Sequence, residues 1–172
     1  MQQINLDSLR LLGDLQIGRP NLGNIMSVSV YRLTIYSIKS VLEIKCGKEI
    51  ANEIIYDAGR LAGKTIYDNL MKNITSTQTL VDVLKNIFLK AKIGMLSVEK
   101  ADDKKGIFVF NLSEDLDCSG LPEDGETKCS FDEGLISGVL MGHFKKEFQT
   151  KEIRCWGNGE KYCSFKSMQV SA

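Results

Sequence analysis

Near the C-terminus two thiols bracket a turn, Cys155-Trp156-Gly157-Asn158-Gly159-Glu160-Lys161-Tyr162-Cys163. Two more, Cys118 and Cys129, flank the Gly/Pro/Asp-rich stretch 119–128, and Cys46 lies apart. An ionised thiol is a nucleophile, a redox centre or a metal ligand; a neutral buried one is a small apolar filler. A three-residue loop with Gly159 left-handed would set Cys155 opposite Cys163, with Cβ atoms ~4.5–5.5 Å apart. Two thiolates on one zinc ion, each at about 2.3 Å, lie nearly 4 Å apart. A disulfide asks for Cβ atoms closer to ~3.8 Å. Cys118 and Cys129 would complete a four-sulfur set, with Glu152 as an alternative oxygen ligand. The spacings contain no tight C-x-x-C knuckle. They leave three readings open: zinc, inert buried cysteines, and redox or nucleophilic work.

Bulk properties narrow the setting. The chain has 172 residues, 43% of them apolar, and equal numbers of acidic and basic side chains. That is enough for one ordinary domain with its own core, read here as spanning 1–172. Zero net charge and the lack of a basic run argue against nucleic acid and against an anionic membrane surface. No run of about 18 apolar residues is present, so no membrane span is expected. The first residues lack a basic and apolar leader pattern, which makes the cytoplasm the expected compartment, where thiols stay reduced.

The elements that must carry these residues follow from periodicity. Residues 1–24, broken by Gly13, Gly18, Pro20 and Gly23, read as an irregular arm that could hold one strand. Tyr31, Ile35, Ile38 and Leu42 then recur at helical spacing, and Gly47 stops that helix. A second helix from Lys48 presents Ile50, Ile54, Ala58, Leu61, Ala62, Ile66 and Leu70. A third carries Leu80, Val83, Leu84, Ile87, Phe88 and Ala91. The polar turn 102–106 between two β-prone runs predicts a hairpin. Ser130 and Glu133 suggest a capping box opening a fourth helix, and the final segment predicts a second hairpin. The expected fold is α+β: an antiparallel sheet from two hairpins, packed against about four helices.

Two of the helices share a glycine ridge: Gly59 and Gly63 in one, Gly134, Gly138 and Gly142 in the other. A spacing of four places them on one helix face. Each costs roughly 0.5–1 kcal/mol relative to alanine, so close approach of another backbone must offset them. Packing within the chain, a homodimer interface, and a ligand against bare backbone all remain open. The lone His143 permits no Ser/His/Asp set, and Asp57 and Asp132 read as helix-start acids. No catalytic residue is assigned.

The run "CSFDEGLISGVLMG" followed by "KEIRCWGNGEKYCSF" resembles the 4-vinyl-reductase-like domain family. The matching positions are Cys129, Phe131, Gly134, Gly138, Glu152, Cys155, Gly159, Cys163 and Phe165. The stretch 18–64 is similar to the family's opening helices. The resemblance implies the ligand-binding fold of the nitric-oxide-signalling and Golgi-transport type, shared by aromatic-responsive bacterial sensors and Golgi tethering subunits. It implies a homodimer, and a zinc ion held by Cys129, Cys155 and Cys163. Cys118 is then the fourth ligand, with Glu152 as the alternate. It also implies a pocket for a small apolar or aromatic molecule, for which Tyr56, Tyr67, Phe110 and Trp156 are the lining candidates. The leading expectation is thus a small-molecule-binding module with a structural zinc rather than an enzyme. The alternatives are an enzyme or accessory in tetrapyrrole vinyl reduction, and a ligand-free interaction scaffold.

Overall fold

A computed structural model describes residues 12–170. The short α1 (Leu15–Gly18) is capped by Asp14, whose carboxylate accepts from the amides of Gln16 and Ile17. Then come α2 (Val28–Cys46) and α3 (Lys48–Ile66), the latter prolonged by a π-helical turn, Tyr67–Met71, and then α4 (Thr77–Lys90). Strands β1 (Met95–Asp102) and β2 (Ile107–Ser113) precede α5 (Ser130–Phe144), β3 (Phe148–Arg154), the 3-10 turn Trp156–Asn158 and β4 (Cys163–Gln169). The four strands form one antiparallel sheet in the order β1-β2-β4-β3. Both expected hairpins are present, and β4 joins them by pairing with β2.

Capping sets the helix limits. Ser27 and Ser76 each accept an amide of the first turn of α2 and α4. Gly47, at φ 85°, ends α2 and starts α3 in a conformation that suits glycine. The first 24 residues behave differently from the expectation in part: 12–24 hold a helical turn and no strand, while 1–11 lie outside the described residues.

α5 is the central element. Ten of its residues are buried, because it lies between α3 and the sheet. Its Ser137 hydroxyl donates to the carbonyl of Phe148 at 2.7 Å, fixing the helix over β3. Below it, Phe108, Phe144 and Phe148 form a ring cluster with centroids 5.4–5.9 Å apart, a spacing at which aromatic pairs attract. α4 buries Leu80, Val81, Leu84, Ile87 and Phe88 and packs on β1.

The glycine ridges lock α3 to α5. A Cβ placed on Gly59 would sit 2.0 Å from the carbonyl oxygen of Phe131, and one on Gly63 2.0 Å from that of Leu135. Reciprocally, Gly134 would meet the carbonyl oxygen of Tyr56 at 1.9 Å and Gly138 that of Arg60 at 2.2 Å. The two backbones touch directly, in the geometry of Cα–H···O contacts. Of the three readings of the ridge, packing within the chain is the one realised. Gly142 instead receives the ring of Tyr67.

That contact turns α3 relative to the sequence expectation. Its buried face is Ala51, Ile55, Gly59, Gly63 and Ile66, while Ile50, Ile54 and Leu61 are exposed. Hydropathy weights large side chains, but close backbone approach selects the smallest ones. Asp57 consequently lies mid-helix, paired with Arg60 at 3.0 Å, and not at a helix start.

Candidate metal centre

Three segments converge on the cysteines. Cys118 comes from the loop after β2, Cys129 is the N-cap residue of α5, and Cys155 and Cys163 border the β3–β4 turn. Arg154 pairs with Ser164, so the two cysteines follow at the open end of that ladder. The connection is longer than the three residues expected. It contains the 3-10 turn, and Gly159 closes that turn at φ 84°.

All four cysteines are fully buried and free, and their Sγ atoms lie within 4.8 Å of one another. Cys163 Sγ is 3.1 Å from that of Cys118 and 3.8 Å from that of Cys129. Four mutually close sulfurs can surround a tetrahedral ion, whose thiolates stand nearly 4 Å apart at about 2.3 Å from the metal. The donor set suits a soft or borderline cation. The other three thiols hydrogen-bond to Cys155 and hold its pKa well below the ordinary thiol value. Cys163 is pushed up, first by Cys118, and Cys129 is raised by its contacts with Cys118, Cys155 and Cys163. Without a cation the cluster favours one thiolate among thiols.

The surrounding chain is tied down. Gly157 accepts at its carbonyl the amides of Asp124 and Gly125, at 3.1 and 2.9 Å. A side chain there would strike the carbonyl oxygen of Glu126 at 2.2 Å, so the loop seats directly on the turn. The indole N–H of Trp156 donates to the carbonyl of Leu121 at 3.0 Å. Glu152 lies outside the mutually close sulfur set. Its Oε2 accepts the amides of Lys128 and Cys129, at 3.2 and 3.1 Å. Its Oε1 is buried without a partner among the described residues, and burial, followed by the charge of Cys155, pushes its pKa up to about 8. The expected capping box is absent: Ser130 caps nothing, and Glu133 accepts the amide of Glu152 at 2.6 Å. The carboxylate expected to close the helix start thus holds β3 against α5.

Several residues at the site escaped the sequence reading. Asp115, Asp117 and Asp132 are buried beside the cysteines. The Tyr31 hydroxyl donates to Asp117 Oδ1 at 2.7 Å and that of Tyr36 to the Asp117 carbonyl at 3.1 Å. Arg32 donates to the carbonyls of Leu116 and Ser119, at 2.8 and 2.9 Å. Burial, then Asp115, raises the pKa of Asp117 to about 6. The available signal was the acidic run 114–117 directly before Cys118, too dense in charge for an ordinary loop beside a thiol cluster.

The aromatic candidates are spread over the fold. Tyr67 lies against His143, with ring centroids 6.1 Å apart, and Phe110 stacks on Phe108 at 6.3 Å. Both belong to the core, and Trp156 packs against it. Tyr56 sits where α3 meets β3, its hydroxyl accepting the amide of Thr150 at 3.4 Å.

An antiparallel four-stranded sheet backed by helices, with four cysteines gathered at the β3–β4 turn, defines a recognisable class of domain. The family model for the vinyl-4-reductase domain matches residues 108–167, a span that takes in all four cysteines. The protein named Uncharacterized protein MJ0150, from Methanocaldococcus jannaschii, is 31% identical over 144 residues, covering 84% of this chain and 76% of its own. This chain belongs to the vinyl-4-reductase domain family. Among solved structures, a vinyl-4-reductase family protein from Methanocaldococcus jannaschii is similar over 99% of both chains, at TM-score 0.62 and 20% identity. The phenol-responsive sensory domain of the transcription activator PoxR, solved with phenol, is similar at TM-score 0.66 and 13% identity. That match covers 85% of this chain and 76% of the other. At these identities the likeness is one of fold. Among the described residues, no helix is long and apolar enough to cross a membrane.

Proposed function

We propose that residues 1–172 act as one small-molecule-sensing module, a homodimer whose ligand-binding half is held in shape by a structural zinc ion on Cys118, Cys129, Cys155 and Cys163. The observation that carries this reading is the convergence of four buried sulfurs from three separate segments. A closed tetrathiolate leaves no open coordination position, so the ion would pin the loop, the start of α5 and the turn together. Glu152, with Oε2 engaged by two amides, orients the Cys129 segment and serves as reserve ligand.

Two further observations support the rest. The PoxR sensory domain, of the same fold, binds phenol. Here an aromatic core of Phe108, Phe110, Phe144 and Phe148 lies between helices and sheet, a suitable bed for a small apolar or aromatic guest. Tyr56, Tyr67, Phe110 and Trp156 are assigned to its walls. For the dimer, the support is the apolar face of α2. None of that helix is buried, and Leu33 and Ile44 are 72% and 84% exposed.

Native mass spectrometry of full-length protein prepared without added metal tests metal and assembly together. A dimer with at least one zinc ion per chain is expected, and a metal-free chain would overturn the zinc half. Trp156, the single tryptophan, supplies the ligand test. Its fluorescence should change saturably on titration with phenol or larger apolar aromatics. A flat response with an unchanged melting temperature across the series would end the sensing reading. A Soret shift on titration with a porphyrin would replace it with the tetrapyrrole alternative.

A further inference from the structure

Beside the four sulfurs lies an anionic pair that the structural ion leaves unused. Asp115, in the loop after β2, and Asp132, in the first turn of α5, are 1% and 3% exposed. Asp115 Oδ1 accepts the amide of Asp117 at 2.7 Å. Its Oδ2, and Oδ2 of Asp132, have no hydrogen-bond partner among the described residues. One carboxylate oxygen from each residue and the Sγ of Cys129 lie within 4.8 Å of one another. Buried carboxylate oxygens without donors are costly, by roughly 1–3 kcal/mol each even before charge is counted. Two acids enclosed this way need either protons or a cation between them.

The nearby positive charge is already committed. The Arg32 guanidinium spends its donors on the carbonyls of Leu116, Ser119 and, at 3.4 Å, Asp115. The Tyr31 hydroxyl goes to Asp117. A divalent ion on four thiolates still leaves a buried dianion, and two ionised aspartates would double that charge in a site closed to water. Isolated buried charge of this size does not persist uncompensated.

We propose that Asp115, Asp132 and Cys129 form a second divalent-cation site, with the Cys129 sulfur bridging it to the tetrathiolate site. Two carboxylate oxygens and one thiolate favour a zinc-like ion over magnesium or calcium, which avoid sulfur. The proposal rests on the tetrathiolate reading, because Cys129 is common to both. The second ion ties the loop carrying Asp115 to the first turn of α5 and neutralises what the first leaves over.

The test counts ions on the full chain. Native mass spectrometry at zinc excess is expected to show two ions per chain. Cadmium NMR of cadmium-loaded protein is expected to show two resonances, one all-sulfur and one of mixed oxygen and sulfur, coupled through the shared thiolate. Asp132→Asn and Asp115→Asn should each lose the mixed resonance and keep the all-sulfur one. A single ion per chain, or a mixed resonance that survives both substitutions, overturns the second site and leaves the first intact. No bound ion overturns the tetrathiolate reading and this one together. If a variant fails to fold, the spectrum of the unsubstituted chain decides on its own.

Discussion

α3 and α2 are both helices of 19 residues, joined only by Gly47, yet they attach to the molecule in opposite ways. α3 meets α5 backbone to backbone through Gly59, Gly63, Gly134 and Gly138, with no side chain between. α2 buries no residue, and its side-chain anchors to the cysteine loop are polar: Tyr31, Arg32 and Tyr36. One attachment is short-range, dry and intolerant of added atoms. The other is a set of hydrogen bonds to a loop that the metal would hold. The core pair supplies a fixed platform, whereas α2 reads the state of the cysteine loop and carries an open apolar face outward.

The sharpest way to break the platform is to add atoms where none fit. Gly134→Val would force a Cβ to within 1.9 Å of the carbonyl oxygen of Tyr56 and 2.7 Å of the amide nitrogen of Arg60. Neither backbone group can step aside without parting the helices. The expected loss exceeds about 4 kcal/mol, the range reserved for severe core disruption, and chemical denaturation or loss of soluble protein will report it. If the variant stays within about 1 kcal/mol of the parent, the α3–α5 contact is not a rigid element.

Metal removal should come next in size and fall on the other region. Stripping zinc with a strong chelator removes the ion that ties Cys118 to α5 and to the β3–β4 turn. Because binding is coupled to folding, stability should drop by several kcal/mol. Hydrogen exchange should rise first in the loop 114–129 and in α2, and last where α3 meets α5. Equal acceleration everywhere would mean that the two attachments are not separable. Lower pH should ease removal, since the thiols must lose protons to bind the ion.

A smaller and more local change sharpens the α2 side. Tyr31→Phe deletes the hydroxyl that donates to Asp117 and leaves the ring. The buried carboxylate then lacks a donor, at a cost of about 1–3 kcal/mol. Tyr31 also favours the ionised form of Asp117, so its loss should raise that carboxyl further above about 6. Carboxyl-selective NMR titration can follow this. An unchanged titration would place the hydroxyl elsewhere in solution.

The contrast also explains what could be read from the chain. The four strands, their two hairpins and α4 were legible because large apolar side chains mark their buried faces, as Leu80, Leu84 and Phe88 do. The cysteine set was legible from the resemblance more than from spacing, since its members are far apart in sequence. The buried face of α3 was not legible, because glycines have no hydropathy to register and Ile50, Ile54 and Leu61 point away. α2 failed in the converse sense. Its stripe of Tyr31, Ile35, Ile38 and Leu42 looked like a core face, but a helix at the edge of one chain shows the same pattern when its partner lies elsewhere. The buried acids were missed because Asp132 at a helix start has an ordinary explanation that hides the unusual one.

The smallest effect on the isolated chain should come from the exposed side of α2. Leu33→Lys together with Ile44→Lys places two charges on a face that one chain leaves to solvent. Exposed substitutions of this kind usually shift chain stability by no more than about 0.5 kcal/mol. Their effect on assembly should be far larger, because a lysine ammonium buried at an apolar contact has no counter-charge to meet. Sedimentation should show the dimer of the parent chain giving way to monomer, with circular dichroism and zinc content unchanged. A dimer that survives both charges would move the interface off α2. A variant that loses zinc as it dissociates would mean that the face and the cysteine loop act as one unit, through the Tyr31, Arg32 and Tyr36 hydrogen bonds that join them.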